Sequence, residues 1–170
     1  KASAKGKRIG FMAGEAAEEG EAAPDTTRPM PPLVIDADAL NALAAEADWW
    51  KHVPAGSILT PHPGEMARLL LSTREEVQAD RVGVARRAAA EWNQIVVLKG
   101  AHTVIAHPDG SAHVLPFANP ILATAGTGDV LAGAIVGLLA QGLAPLDAAM
   151  VGAFVHGMAA EEIEFSRNMS

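Results

Sequence analysis

The sequence predicts an α/β domain: a largely parallel β-sheet flanked by helices, with a β-hairpin added to it. Three observations predict it. From Leu33 onward, short apolar runs such as "LVID", "SILT" and "QIVVLKG" alternate with stretches of helical pattern. These runs are continuous rather than alternating in polarity, as expected of strands covered on both faces. One pair of runs, in "HTVIAHPDGSAHVLP", is joined by His107-Pro108-Asp109-Gly110, a tight-turn sequence. At 170 residues and 49% hydrophobic composition, the chain can bury one core, either a whole domain or a large part of one.

Each element follows in order. Residues 1–32, "KASAKGKRIGFMAGEAAEEGEAAPDTTRPMPP", lack apolar periodicity and set a basic patch (Lys1, Lys5, Lys7, Arg8) before an acidic one (Glu15, Glu18, Glu19, Glu21, Asp25). They are expected to form a mobile loop or linker ahead of a folded part at 33–170. "LVID" is a first strand, closing on Asp36, and "ADALNALAAEADWW" reads as a helix. "SILT" is a second strand, ended by "PHPGE", and "EMARLLL" is a helix. "STREEVQADRVGVARRAAAEWN" has Ser72 and Glu75 at capping-box spacing and predicts one long helix with an Ala-rich buried face. "QIVVLKG" is the clearest buried strand, and the hairpin follows it. "ATAGTGDVLAG" then leads into a helix over 130–140, and Gly142 and Pro145 separate it from a last helix through "LDAAMVGAFVHGMAAEEIE". Gly133 and Gly137, spaced much like Gly152 and Gly157, suggest close packing of these two helices.

Composition narrows the function. A net charge of −7 without a basic stripe argues against a nucleic-acid surface, while leaving room for a local pocket that takes one small anion. The chain has no cysteine, hence no disulfide framework and no thiolate metal site, which fits a reducing cytoplasm. The longest apolar stretch, residues 130–140, is about half of a membrane span and contains glycines. No signal peptide is visible, and a chain opening on Lys1 is not expected to begin at its native start.

In open parallel sheets ligands gather beyond the carboxyl ends of the strands, so the polar residues there carry the functional reading. After the first strand come Asp36 and Asp38, with Asn41 a turn further on; they suit a water-bridged metal, or a turn and a helix cap. After the second, His62 lies between two prolines, with Glu65 opening the next helix: a positioned polar contact or a structural pair. After the third, Lys99 could reach a phosphate or extend to solvent. After the hairpin, Gly126 and Gly128 allow a ligand to approach closely, and the start of the next helix offers free N–H groups and a favourable dipole to an anion. Asp129 could accept the proton of a hydroxyl attacking a phosphate seated there, which is phosphoryl transfer to an alcohol. It could equally cap the helix. His156, on the apolar last helix, reads as a core or interface residue.

In combination the segments are recognisable. "VIDADALNALA", "ILTPHPGEMARLL", "VVLKGAHTVIAHPDG" and "NPILATAGTGDVLAGAIVGLLAQG", in this order, closely resemble the ADP/ATP-dependent NAD(P)H-hydrate dehydratase family. "GTGD" alone is shared with many ribokinase-like kinases; "TPHPGE" with "LKGAHT" and "ATAGTGDVLAG" is more specific to the dehydratases. The resemblance, over about residues 32–162, implies a ribokinase-like three-layer sandwich with a mainly parallel sheet. It implies nucleotide-dependent dehydration of hydrated NADH or NADPH (NADHX, NADPHX), by phosphorylation of the hydrate hydroxyl and elimination of phosphate. Carried over by motif, Asp129 is the catalytic base and, with His62, contacts that substrate. Lys99, Gly100, Ala101, His102, Thr103, Gly126 and Gly128 hold ADP or ATP, and Mg²⁺ accompanies the nucleotide without an assignable ligand. A cytoplasmic homo-oligomer is implied as well. The family's domain has an earlier half with a "GPGLG"-type segment that residues before Leu33 do not contain. The expectation is therefore the C-terminal part of an incomplete domain, its N-terminal half, or an epimerase domain, lying elsewhere. The competing readings are a ribokinase-like small-molecule kinase and a nucleotide-binding fragment without turnover.

Overall fold

The computed structural model describes residues 30–169. Most of the 1–32 segment expected as a linker lies outside the described residues. The sheet has five strands in sequential order: β1 (Val34–Ile35), β2 (Ile58–Leu59), β3 (Ile95–Leu98), β4 (Val104–Ala106) and β5 (Ala112–Val114). The β1, β2 and β3 strands run parallel, while β4 and β5 are antiparallel to their neighbours, as the hairpin reading requires. The turn closes through the Gly110 N–H donating to the His107 carbonyl at 3.0 Å, with Gly110 at φ +87°.

Side-chain alternation along the strands divides the interior into two cores. Ile35, Leu59, Val96, Leu98, Val104 and Ala106 face one side. There they meet α1 (Asp38–Leu43), α2 (Pro63–Leu69), α3 (Arg74–Ala79) and α4 (Arg81–Trp92). Ile58, Ile95, Val97 and Ile105 face the other, against α5 (Thr127–Ala140) and α6 (Pro145–Asn168). Helices thus cover both faces of the sheet, which is why its strands read as unbroken apolar runs. Among the described residues no helix is long and apolar enough to cross a membrane.

Four boundaries differ from the sequence reading. The first helix stops at Leu43, and Trp49–His52 form a separate 3-10 turn. Asp48, at φ +54°, redirects the chain so that Trp49 packs on Trp92 with ring centroids 4.9 Å apart. Burying the indole there outweighs extending an Ala- and Glu-rich helix. The capping box is Thr73 with Glu76, not Ser72 with Glu75. Ser72 is already engaged in ending α2, its N–H donating to the Ala67 carbonyl at 2.9 Å. The expected single helix breaks at Asp80, whose carboxylate accepts the Gly83 N–H at 2.9 Å and so caps α4. Finally, α5 begins at Thr127, a turn earlier than the apolar run suggests.

The glycines of α5 and α6 divide in two. Gly152 and Gly157 are contact points: a Cβ would press on Ile135 at the first and on the Phe117 ring at the second. Gly133 and Gly137 have no neighbour within 4 Å of an added Cβ, so the paired packing expected from their spacing does not form. Opposite effects are expected. Gly157→Ala should destabilise by about 1–3 kcal/mol through overpacking, whereas Gly133→Ala should be neutral or stabilise by up to about 1 kcal/mol through helix propensity. Urea unfolding of both variants measures the difference.

Candidate functional site

The carboxyl ends of β1 and β3 and the start of α2 meet at one ammonium group. Lys99, directly after β3, places Nζ 2.6 Å from Asp36 Oδ1 and 3.8 Å from Glu65 Oε2, and all three side chains are largely buried. Asp36, weighed as a metal ligand or a turn residue, pairs with Lys99. Gly128 borders this pair: a Cβ there would lie 3.5 Å from Lys99 Nζ and 3.6 Å from Asp36 Oδ2. The glycine motif and the lysine motif therefore meet in space.

His62 is fixed by the sequence around it. Its Nδ1 accepts the N–H groups of Gly64 at 3.0 Å and Glu65 at 3.3 Å, while Glu65 Oε2 accepts the His62 N–H at 2.7 Å. This is a capping box with histidine in the place of serine. Since Nδ1 accepts, Nε2 carries the ring proton; it lies 3.4 Å from Glu65 Oε1. The His62–Glu65 pair is thus structural, and it also holds the exposed imidazole in one orientation.

The loop after β3 is held by a residue that sequence reading passed over. Arg81 Nη2 donates to the carbonyls of Leu98 at 3.1 Å and Lys99 at 3.4 Å, and its guanidinium fills the space beside Gly100, whose φ is +138°. Burial lowers the Arg81 pKa from its ordinary value. His102, at φ +54°, donates its N–H to the Phe117 carbonyl at 2.7 Å, and Thr103 Oγ1 donates to the Gly100 carbonyl at 3.1 Å.

These elements enclose a cavity of about 460 Å³, within the range of small-molecule sites. His62, Lys99, Gly100, Ala101, Thr103 and Gly128 line it, as do Phe117, Asn119, Leu122, Leu131 and His156, which motif reading did not place there. His156 is half-buried in the wall rather than in the core. The cavity does not include His102, Gly126 or Asp129, which are exposed. Gly126 caps α5 with φ +89° and no side-chain hydrogen bond. Among the described residues the N–H groups of Gly128 and Asp129 have no acceptor, and they are available to an anion at the helix start. Asp129 makes no ion pair among the described residues. No group of three or more His, Asp or Glu is placed to hold a metal ion among them.

The sequence matches the family model of NAD(P)H-hydrate dehydratase over residues 15–169, nearly the whole chain. The chain belongs to this family. It is 53% identical over 131 residues to a bifunctional NAD(P)H-hydrate repair enzyme Nnr of Moorella thermoacetica, covering 77% of this chain and 25% of that protein. Its fold is similar to that of the ADP/ATP-dependent NAD(P)H-hydrate dehydratase of Bacillus subtilis co-crystallised with ATP/Mg²⁺, with TM-score 0.68 and 39% identity over 76% of this chain and 46% of that one. A ribokinase-like superfamily protein of Enterococcus faecalis matches with TM-score 0.67 and 28% identity, over 78% of this chain and 45% of that one. The fold is ribokinase-like, and the chain spans between a quarter and a half of the length of these relatives.

Two outcomes test the geometry. Lys99→Met should cost about 3 kcal/mol of stability, because Asp36 and Glu65 would be left as neighbouring buried carboxylates without a counter-charge; denaturant unfolding reads this. His156 supplies the second. Burial lowers its pKa from the ordinary imidazole value, so as the pH falls through that value, about 6.5, the unfolded chain binds more protons and stability declines. His156→Gln should flatten that decline when thermal midpoints are compared from pH 8 to about pH 5.

Proposed function

We propose that this chain is the C-terminal, nucleotide-binding part of an NAD(P)H-hydrate dehydratase domain that uses ADP or ATP to return hydrated NADH or NADPH to the reduced cofactor. One observation carries the reading: His62, then Lys99, Gly100, Ala101 and Thr103, and Gly128, from three separate motifs, meet around a single cavity at the carboxyl ends of the parallel strands. The nucleotide's phosphates lie against the N–H groups at the start of α5 and the loop after β3, with Lys99 beside them. Its base lies against the apolar wall of Phe117, Leu122 and Leu131. Magnesium, when bound, would be held chiefly by the nucleotide and would offset the charge of its phosphates. Asp129 removes the proton from the hydrate's hydroxyl as it attacks the terminal phosphoryl group and displaces the shortened nucleotide; departure of phosphate with a proton from the adjacent ring carbon then restores the nicotinamide double bond. His62, held by its capping box, contacts the hydrated nicotinamide.

The short coverage of its relatives supports reading residues 33–170 as part of a larger domain. On this reading the upstream half lies along the outer edge of β1 and completes the substrate pocket beside Asp129. Val151, Phe154, Val155 and Met158, exposed on α6, support a further contact with that half or with a second copy. The location is cytoplasmic.

The test supplies hydrated NADH with ADP or ATP and Mg²⁺ to the chain joined to its upstream half, and follows recovery of reduced-nicotinamide absorbance. Asp129→Asn should reduce the rate by at least about a hundredfold, the scale of a lost general base, without weakening nucleotide binding. Recovery that survives this substitution removes Asp129 from the chemistry. Binding of nucleotide with no recovery in the wild-type protein rejects the dehydratase reading.

A further inference from the structure

The loop after β3 is braced by a side chain that is not part of the cavity wall. Arg81 opens α4, just past the break at Asp80 whose carboxylate caps that helix. Its Nη1 donates to Gln78 Oε1 at 3.3 Å, and its Nη2 donates to the carbonyls of Leu98 at 3.1 Å and Lys99 at 3.4 Å. In a trans peptide the carbonyl and the N–H point to opposite sides, and none of the peptide bonds described is cis. Turning the Leu98 carbonyl to Arg81 therefore turns the Lys99 N–H the other way, where it donates to the Pro61 carbonyl at 2.8 Å. Turning the Lys99 carbonyl to Arg81 likewise turns the Gly100 N–H away from the guanidinium. Gly100 lines the cavity, and among the described residues its N–H has no acceptor. Its φ is +138°, and Arg81 Nη1 occupies the place a Cβ would take, so residue 100 has no room for a side chain.

The geometry points to Arg81 as a positioning residue: by holding the Lys99 carbonyl it sets the Lys99–Gly100 peptide so that the Gly100 N–H donates to a nucleotide's phosphate. Every other polar group of Lys99 already has a partner, the ammonium on Asp36 and the N–H on Pro61. The carbonyl is the one that Arg81 fixes. A peptide that precedes a glycine can turn over at little steric cost, so without Arg81 the carbonyl is free to swing toward the cavity. It would then present an acceptor to the phosphate in place of a donor. This role rests on the nucleotide reading of the cavity and extends it to a residue outside the wall.

The role predicts a loss confined to phosphate and a signature at one amide. Arg81→Met keeps an unbranched side chain and removes the donors. Binding of ADP by calorimetry and of adenosine by NMR titration is compared for the wild-type chain and this variant, with glycine nitrogens labelled so that the Gly100 amide is followed. In the wild-type chain ADP should move the Gly100 amide proton downfield and adenosine should leave it in place. Arg81→Met should weaken ADP about tenfold, leave adenosine within about twofold, and shrink the Gly100 displacement. Equal losses for ADP and adenosine would make Arg81 a general support of the fold and overturn the positioning role. So would ADP affinity unchanged in Arg81→Met, or a Gly100 amide that ADP does not move in the wild-type chain. Should Arg81→Met fail to fold by circular dichroism, Arg81→Lys provides the same comparison, because an ammonium cannot reproduce the planar fork. A wild-type chain that binds neither ligand rejects the nucleotide reading itself, a result distinct from ADP binding indifferent to residue 81.

Discussion

The Lys99 ammonium organises this site. It ends a strand whose four residues are buried, and there an unpaired charge would be costly. The fold answers with two carboxylates from different elements, Asp36 after β1 and Glu65 in the first turn of α2. Glu65 in turn holds the backbone of His62. One cation therefore fixes the relative positions of two strand ends and a helix start, and α5 packs Gly128 against the same pair. Any side chain longer than hydrogen at residue 128 would stand between the anion seat and this charge cluster. The glycine there is explained by the approach it leaves open, since its backbone is ordinary helix.

The opposite wall of the cavity is a loop, and it is held by a polar anchor rather than by regular structure. Asn119 is buried; its Oδ1 accepts the Ile121 N–H at 3.0 Å, while its amide donates to Glu164 Oε2 at 2.5 Å and to the Ala160 carbonyl at 3.3 Å. This secures the segment carrying Phe117 and Leu122 to α6. Phe117 also fills the gap left by Gly157, so α6 grips the loop by packing and by hydrogen bonds together. With Gly152 packed against Ile135, α6 supports both the loop and α5. The longest helix of the fold is thus a scaffold for the cavity.

Much of this was legible in the sequence, and the exceptions have physical causes. Continuous apolar runs gave away the buried strands because both sheet faces are covered, and the His107–Gly110 turn gave away the hairpin. Their places after the strands singled out His62, Lys99 and Gly128, and the family resemblance implied that they serve one site. Helix boundaries were legible only where one residue dominated. At Asp80 the competing Ala-rich pattern concealed a cap, and at Asp48 the pull of Trp49 toward Trp92 could not be read locally. Arg81 and Asn119 act across 17 to 45 positions, and nothing in their own neighbourhoods marks them. Residues that hold a site together through distant carbonyls leave no local spacing to recognise.

The exposure of Asp129 follows from the same architecture. The groups that would hold the nucleotide, namely the α5 start, the loop after β3 and the Phe117 wall, all come from described residues that pack on one another. Asp129 sits on the outer side of that helix start, away from the cavity lining. A carboxylate lining the cavity would oppose the phosphates, whereas one turned outward can serve a hydroxyl brought in from the other side. The proposed reaction needs the two sites to adjoin at the start of α5, because the hydroxyl oxygen must come within bonding reach of the phosphorus, in line with the leaving nucleotide oxygen. On this reading the hydrated cofactor meets His62 on the cavity wall and Asp129 beyond it, a surface that the described residues form only in part. A dehydratase divided this way can keep a formed nucleotide site while its chemistry waits on the surface that closes over Asp129.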